Sequence, residues 1–404
     1  MLQIYLGWWG INMFISTLNP FNLYEVSFNT YILLILNVFC FLIGYIFYKF
    51  NIKLKNENIS KENAIFYLNK LNKSKPLLIL FLFFAIYLFL KLLKYIAIQT
   101  LLNEENIRMV RYEVGLLFSS GNEIIFYNFF VETISFFSAV YIVMCISLKK
   151  TNCKLFYLSF IIFGSYSLIG AGRGPLIMLI FYYIFFNLLL KKERTKINQK
   201  KKQKSKFFAI AGFFFLLVVM SLQTAVRSGR DISFNSIKFG FDILIKHSVV
   251  YCIGAFRALD YGIDNFNILQ YSYGRFTFLG VDELIYYFCK IIGVDYNNFG
   301  STLGTAMVGS FNIGPNDTFN ALFTCVLPFY TDFGLLGIII FSTSLGVFFK
   351  MIMINFLKTK DMYYMMLVLF VAVLSIYSLF TWSFSAPSTY IILIILFIKR
   401  KKTR

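Results

Sequence analysis

Long apolar runs alternate with short polar stretches along most of the chain. A helix needs roughly 17–25 apolar residues to cross a ~30 Å hydrocarbon layer. Within lipid the backbone must satisfy its own N–H and C=O groups, so such runs are helical. The pattern predicts ten spans, at 3–18, 29–48, 76–98, 125–147, 155–170, 174–190, 207–224, 333–357, 362–382 and 385–398. Between the seventh and eighth lies one long segment, 225–332, in which Ile237, Phe241, Leu244, Ile245, Val249 and Ile253 approximate a helical period. That spacing predicts an amphipathic helix at the membrane face. Further on, Gly300–Gly304 and Gly309–Asp317 read as irregular loop.

Composition fits this picture. The 404 residues are 58% hydrophobic and only 14% charged, with a mean hydropathy of +0.70. Soluble chains carry about a quarter charged residues, so the chain reads as one integral membrane domain, 1–404, all-α and polytopic. The stretch from Ile4 has neither a basic flank nor a small-residue cleavage site, and is taken as the first span. The six cysteines lack CxxC spacing and there is one histidine, which argues against a zinc site. Tight acidic clusters and a DxD-type motif are missing too, so no metal and no nucleotide-sugar donor is expected.

The net charge of +20 suggests nucleic acid until its distribution is considered. Of 39 Lys and Arg residues, 27 fall in segments 49–75, 149–154, 191–206, 350–361 and 399–404. All five lie on one side of the ten-span arrangement, which makes that side cytoplasmic and places both termini inside.

Arginine sorts differently from lysine. Of 29 lysines, 24 are inside, whereas seven of ten arginines are on or near the outer side: Arg108, Arg111, Arg173, Arg227, Arg230, Arg257 and Arg275. A planar guanidinium grips phosphate or carboxylate at two points. The arrangement suggests an outer site for an anion, with a polyprenyl pyrophosphate the leading candidate. Fifteen acidic residues share that side, so pairing is the competing explanation for any single arginine.

Arg173 sits in Gly170-Ala-Gly172-Arg173-Gly174-Pro175, the turn between spans five and six. Gly172 and Gly174 permit close backbone approach, Pro175 suits a first helical turn, and the helix start offers free N–H groups. A plain hairpin with Arg173 snorkelling outward is the bland alternative. Arg227 and Arg230 leave span seven three residues apart, on one helix face. Lys246 and Arg257, eleven apart, share another. Beside them His247 is a candidate base for a sugar hydroxyl, although a lone histidine is more often structural. Lys91, Lys94 and Glu132 fall inside spans, and a Lys94–Glu132 salt bridge is expected there, with a proton-coupled pathway as the alternative. Asp332, before Phe333-Gly334, is positioned to cap span eight or to orient an arginine or sugar.

Two stretches resemble the O-antigen polymerase (Wzy-type) family, also called oligosaccharide repeat unit polymerases. One is Gly170-Ala-Gly-Arg173-Gly174-Pro175-Leu-Ile. The other is Asn316-Asp-Thr-Phe-Asn320 followed by Pro328-Phe-Tyr330-Thr-Asp332-Phe-Gly334 and Gly337. The motifs cover roughly 40 residues, and the span count and large outer loop agree with them. The resemblance implies a GT-C-type membrane glycosyltransferase that extends undecaprenyl-pyrophosphate-linked oligosaccharide at the outer leaflet, needing no cofactor and working beside a flippase and a chain-length regulator. Arg173, Arg227 and Arg230 would then hold the pyrophosphate, Arg257 a second lipid phosphate, and His247 or an acidic residue the acceptor hydroxyl. Gly172, Gly174, Lys246, Arg275, Asn320, Tyr330 and Asp332 would line the substrate site. An O-antigen ligase shares this chemistry. A flippase or transporter would show internal repeats, and a membrane acyltransferase an early histidine; neither is seen in the sequence.

Overall fold

A computed structural model of the protein describes residues 2–48, 61–101, 115–170, 174–190, 217–218, 220–222, 233–266, 271–300, 310–315, 317–320 and 323–401. The described part is helical apart from one small hairpin. In chain order the helices are α1 (Leu2–Leu18), α2 (Phe28–Phe47), α3 (Lys61–Asn72), α4 (Lys75–Leu101), α5 (Gly121–Leu148), α6 (Lys154–Ile169), α7 (Gly174–Leu189), α8 (Phe234–Phe266), α9 (Leu279–Ile291), α10 (Val326–Thr359), α11 (Met362–Tyr377) and α12 (Pro387–Lys401). α5 contains a π-helical turn, Tyr127–Val131. Strands β1 (Ser310–Asn312) and β2 (Thr318–Asn320) pair antiparallel, with Phe311 opposite Phe319.

Nine of the ten expected spans coincide with a helix. The seventh, 207–224, lies mostly outside the described residues. Five helices, α2, α4, α5, α8 and α10, are long and apolar enough to cross a membrane, and α6, α7, α11 and α12 are shorter apolar helices. The protein is therefore a polytopic helical membrane protein. α8 was expected as a surface helix. By length and composition its 33 residues and apolar stretch would also suffice to cross. The stretch read as irregular loop around Gly309–Asp317 carries β1, because Phe311 packs flat against Tyr261 of α8 at 4.7 Å and Phe319 sits against Gly254.

The chain forms two units, residues 1–58, 128–133 and 250–404 in one and 59–127 and 134–249 in the other. In the first, α11 is apolar all round and almost wholly buried, as a central helix should be. α10 packs along α2 at backbone-to-backbone range. A Cβ at Gly44 would lie 2.0 Å from the Thr343 carbonyl oxygen, and one at Gly346 2.2 Å from that of Phe41. Small residues allow this approach, which is how helices gain dispersion energy in lipid. Asn37 of α2, fully buried, accepts from Ser342 Oγ at 2.7 Å and donates to Tyr5 Oη at 3.3 Å. Ser27 caps α2, and Asp260 of α8 reinforces the cap by accepting from Ser27 N at 3.1 Å and Thr30 Oγ1 at 2.6 Å.

In the second unit α4 packs on α6, and the membrane charges pair otherwise than expected. Lys91 Nζ lies 2.6 Å from Glu123 Oε1, and both Lys91 and Lys94 donate to the Leu117 carbonyl. Glu132 accepts from Ser388 Oγ at 2.8 Å in the first unit. The Lys94–Glu132 bridge is thus corrected to Lys91–Glu123. The lysines meet the first turn of α5, and Glu132 lies nine residues, roughly 13 Å, further along that helix.

Candidate functional site

The segment before α9 is built around a tight turn. Arg275 N donates to Ser272 O at 3.0 Å, and the two central residues, Tyr273 and Gly274, have φ of +51° and +90°. Left-handed conformation at both centres is the type I′ pattern. Asp332, fully buried, holds this turn down. Its carboxylate accepts from Ser272 Oγ, from Phe276 N at 3.1 Å and from Thr277 N at 2.8 Å. Trp382 Nε1 donates to Thr277 O at 2.6 Å, and Ser272 N to Thr331 O at 3.2 Å. Asp332 therefore does not begin a helix. It lies inside α10, where Phe333 and Gly334 leave helical geometry, and caps a neighbouring turn instead. The expected helix start at 333 falls on that kink.

Arg275 follows directly. Its Nε donates to Asp282 Oδ1 at 2.8 Å and its Nη2 to Asn297 O, while the rings of Tyr296 and Phe299 lie 5.3 and 5.6 Å from the guanidinium carbon. Asp282 is buried and also accepts from Tyr296 Oη at 2.5 Å and Phe299 N at 2.8 Å. The Asp282 hydrogen bond raises the Arg275 pKa further, so this cation is permanent. Its Nη1 makes no hydrogen bond among the described residues, and its side chain is 38% exposed.

Arg257 is placed quite differently. Only 5% exposed, it donates from Nε to Tyr24 O at 2.7 Å, from Nη1 to Ser16 Oγ at 3.1 Å and Ile253 O at 2.9 Å, and from Nη2 to Asn19 Oδ1 at 3.2 Å. Four of its five N–H groups are thereby occupied by α1, α8 and the loop between α1 and α2. It ties three segments together.

A carboxylate neighbourhood went unnoticed in the sequence. Glu283 of α9 is pushed up to about 7 by burial first, then by the charges of Asp282 and Glu132. Glu132 is held by Ser388, and Phe129 packs edge-on to Tyr287 at 5.8 Å, bringing α9 to this part of α5. The available signal was Asp282-Glu283 at the start of an amphipathic helix, but nothing in the sequence brings Glu132 near it.

Lys246 and His247 lie half-buried on α8, Gly174 opens α7, Tyr330 is half-buried before the α10 kink, and Asn320 ends β2. Gly172, Arg173, Arg227 and Arg230 lie outside the described residues.

Helices able to cross a bilayer, with an anchored turn that presents a cation and aromatic rings, define a polytopic membrane protein with a polar working segment between its spans. The family model described as O-antigen polysaccharide polymerase Wzy matches residues 11–402, and the chain belongs to that family. It is a glycosyltransferase that polymerises lipid-linked repeat units. No curated protein and no solved structure matches it.

Proposed function

We propose that polymerisation takes place at the outer face of a bacterial inner membrane, in a protein of about ten spans with both termini cytoplasmic, built along GT-C lines. The substrate is undecaprenyl-pyrophosphate-linked oligosaccharide, delivered by a flippase and measured out by a chain-length regulator. A hydroxyl of the acceptor sugar attacks the anomeric carbon of the donor. The bond from that carbon to the pyrophosphate oxygen breaks, the pyrophosphate leaves with the electron pair, and the hydroxyl proton passes to a base.

The observation that carries this reading is the sorting of basic residues, with seven of ten arginines outside and 24 of 29 lysines inside. Charge develops on the leaving pyrophosphate, and fixed cations aimed there stabilise the transition state without a metal. Arg173, Arg227 and Arg230, with the backbone around Gly172 and Gly174, take that part. Lys246, Asn320 and Tyr330 help to seat the oligosaccharide. Arg257 is assigned to architecture rather than to a second phosphate, because its donors already have protein partners. His247 is the base in one reading. Glu283 is the other, favoured by a carboxyl that changes protonation near neutrality.

The test is a deletion strain whose surface polysaccharide is displayed on a gel. Deletion is expected to leave a single repeat unit on the lipid core, restored to a ladder by the wild-type gene and not by well-expressed Arg173→Ala. Loss of all surface glycan would point to ligation or flipping, and full ladders from Arg173→Ala would remove that arginine from the site.

A further inference from the structure

Tyr273 is held in a backbone conformation that ordinarily disfavours a tyrosine. Its φ of +51° is left-handed, a conformation that costs a bulky residue roughly 1–2 kcal/mol. Type I′ turns ordinarily place Asn, Asp or Gly there. Burial does not compensate, since Tyr273 is 73% exposed and its hydroxyl makes no hydrogen bond among the described residues. Strain kept at so exposed a side chain is characteristic of functional positions.

Its surroundings are aromatic. Tyr271 meets it edge-on at 6.5 Å, and Phe333, from the α10 kink, at 6.1 Å. Tyr271 is 57% exposed and Phe333 38%. The kink serves this arrangement, because Gly334, at φ +61°, leaves its open side to Tyr271, whose Oη would lie 3.1 Å from a Cβ there. Below the rings, Asp332 and Thr331 fasten the turn. Two residues beyond Tyr273 stands Arg275, whose Nη1 makes no hydrogen bond among the described residues.

We propose that Tyr271, Tyr273 and Phe333 form a stacking platform for a sugar ring of the lipid-linked repeat unit, with Arg275 beside it for an acidic or phosphate substituent. This rests on the polymerase reading and names the part of the substrate that the turn receives. A pyranose has an apolar face of C–H groups and a rim of hydroxyls. Exposed tyrosines suit both, with a ring to stack on and a hydroxyl to hydrogen-bond. A lipid-facing role, as in the aromatic belts at membrane surfaces, needs no strained turn and no buried carboxylate beneath it, and it would be served equally by leucine.

The experiment complements the deletion strain with wild type, Tyr273→Gly, Tyr273→Leu and Tyr273→Trp, reading polysaccharide ladders and the melting point of each purified protein. Glycine relieves the backbone while removing the ring. The expected result is that Tyr273→Gly melts no lower than wild type yet polymerises about tenfold less, as loss of a stacking contact implies. Tyr273→Leu should fail similarly and Tyr273→Trp keep most of the ladder. With the full-length protein and short oligosaccharides released by mild acid from the strain's own polysaccharide, saturation of aromatic protons should transfer to sugar protons for wild type and not for Tyr273→Gly. Full ladders from Tyr273→Leu would show a membrane contact and overturn the platform. Full ladders from Tyr273→Gly, or a lowered melting point in that variant, would overturn it too. Failure of the wild-type gene to restore any ladder would instead sink the polymerase reading itself.

Discussion

Asp332 accepts the backbone N–H of Thr277 at 2.8 Å across fifty-five residues of chain. The same carboxylate takes Phe276 N and Ser272 Oγ, so one buried side chain fixes the conformation of the turn that carries Tyr273 and Arg275. The acid stays buried because three donors replace the water it gave up. Its position at the α10 kink links the geometry of a long apolar helix to that of a polar turn.

Replacing Asp332 by alanine leaves two backbone N–H groups and a hydroxyl without their acceptor. The expected loss is on the order of 3 kcal/mol of stability, together with polymerisation. Asparagine keeps the oxygen shared by Ser272 and Phe276 but points an N–H₂ at Thr277, so it should fall between alanine and wild type. Melting of the detergent-solubilised variants orders the three. Equal melting points would mean that the carboxylate does not anchor the turn.

Arg257 offers a contrast with the arginines assigned to substrate. Its partners are two carbonyls, a hydroxyl and an amide oxygen placed around a planar fork, one of the carbonyls, that of Ile253, lying one helical turn away on its own helix. Lysine cannot span Tyr24, Ser16 and Asn19 together. Arg257→Lys is therefore expected to lower stability by about 2 kcal/mol or more in the absence of any substrate. Arg173→Ala should leave the melting point near wild type and remove activity. The pair separates architecture from chemistry, and a wild-type melting point in Arg257→Lys with lost ladders would return Arg257 to the substrate site.

Much of the helical layout was legible because apolar runs have few alternatives in lipid. The positions of α2, α4, α6, α7 and α11 follow from hydropathy alone. Boundaries shifted where chemistry outside hydropathy intervened. α10 begins at Val326 rather than 333, since two helical segments join across Phe333 and Gly334. Partners were harder to read. Lysine 91 and Glu123 are separated by a stretch whose path hydropathy does not specify, so Glu132, lying within a span, was the more visible mate. The Tyr273 turn was hidden for another reason. Tyr-Gly is a poor statistical signal for type I′, and only the observed φ values expose the strain.

Glu283 supplies a pH test. Burial and the charges of Asp282 and Glu132 raise its carboxyl from the ordinary 4.5 to about 7. Between those values the folded protein binds more protons than the unfolded chain, so stability falls as pH rises through that window. The penalty is missing below about 4.5, where both states are protonated, and complete above about 7. Glu283→Gln mimics the protonated form. It should melt like wild type near pH 4.5 and above it at pH 8, by on the order of 2 kcal/mol once solvent screening is allowed for. A pH-independent difference between the two proteins would mean that Glu283 titrates normally.

The α2–α10 contact makes the firmest prediction about the membrane-embedded core. At Gly346 a Cβ would come 2.2 Å from the Phe41 carbonyl oxygen and 2.8 Å from Tyr45 N, both backbone atoms that no side-chain rotation can move aside. Gly346→Leu must therefore push the helices apart. Separation would also stretch the Ser342–Asn37 hydrogen bond, now 2.7 Å, and open the packing of Phe41 on Phe349, whose rings are 5.3 Å apart. The expected outcome is a loss of several kcal/mol, of the size seen for overpacking and for broken buried polar contacts together, read as poor accumulation in the membrane and a lowered melting point. Gly10 is the matched control, because nothing among the described residues lies within 4 Å of a Cβ there. Gly10→Leu should accumulate normally. Equal behaviour of the two variants would show that close helix contact at Gly346 is dispensable to the fold.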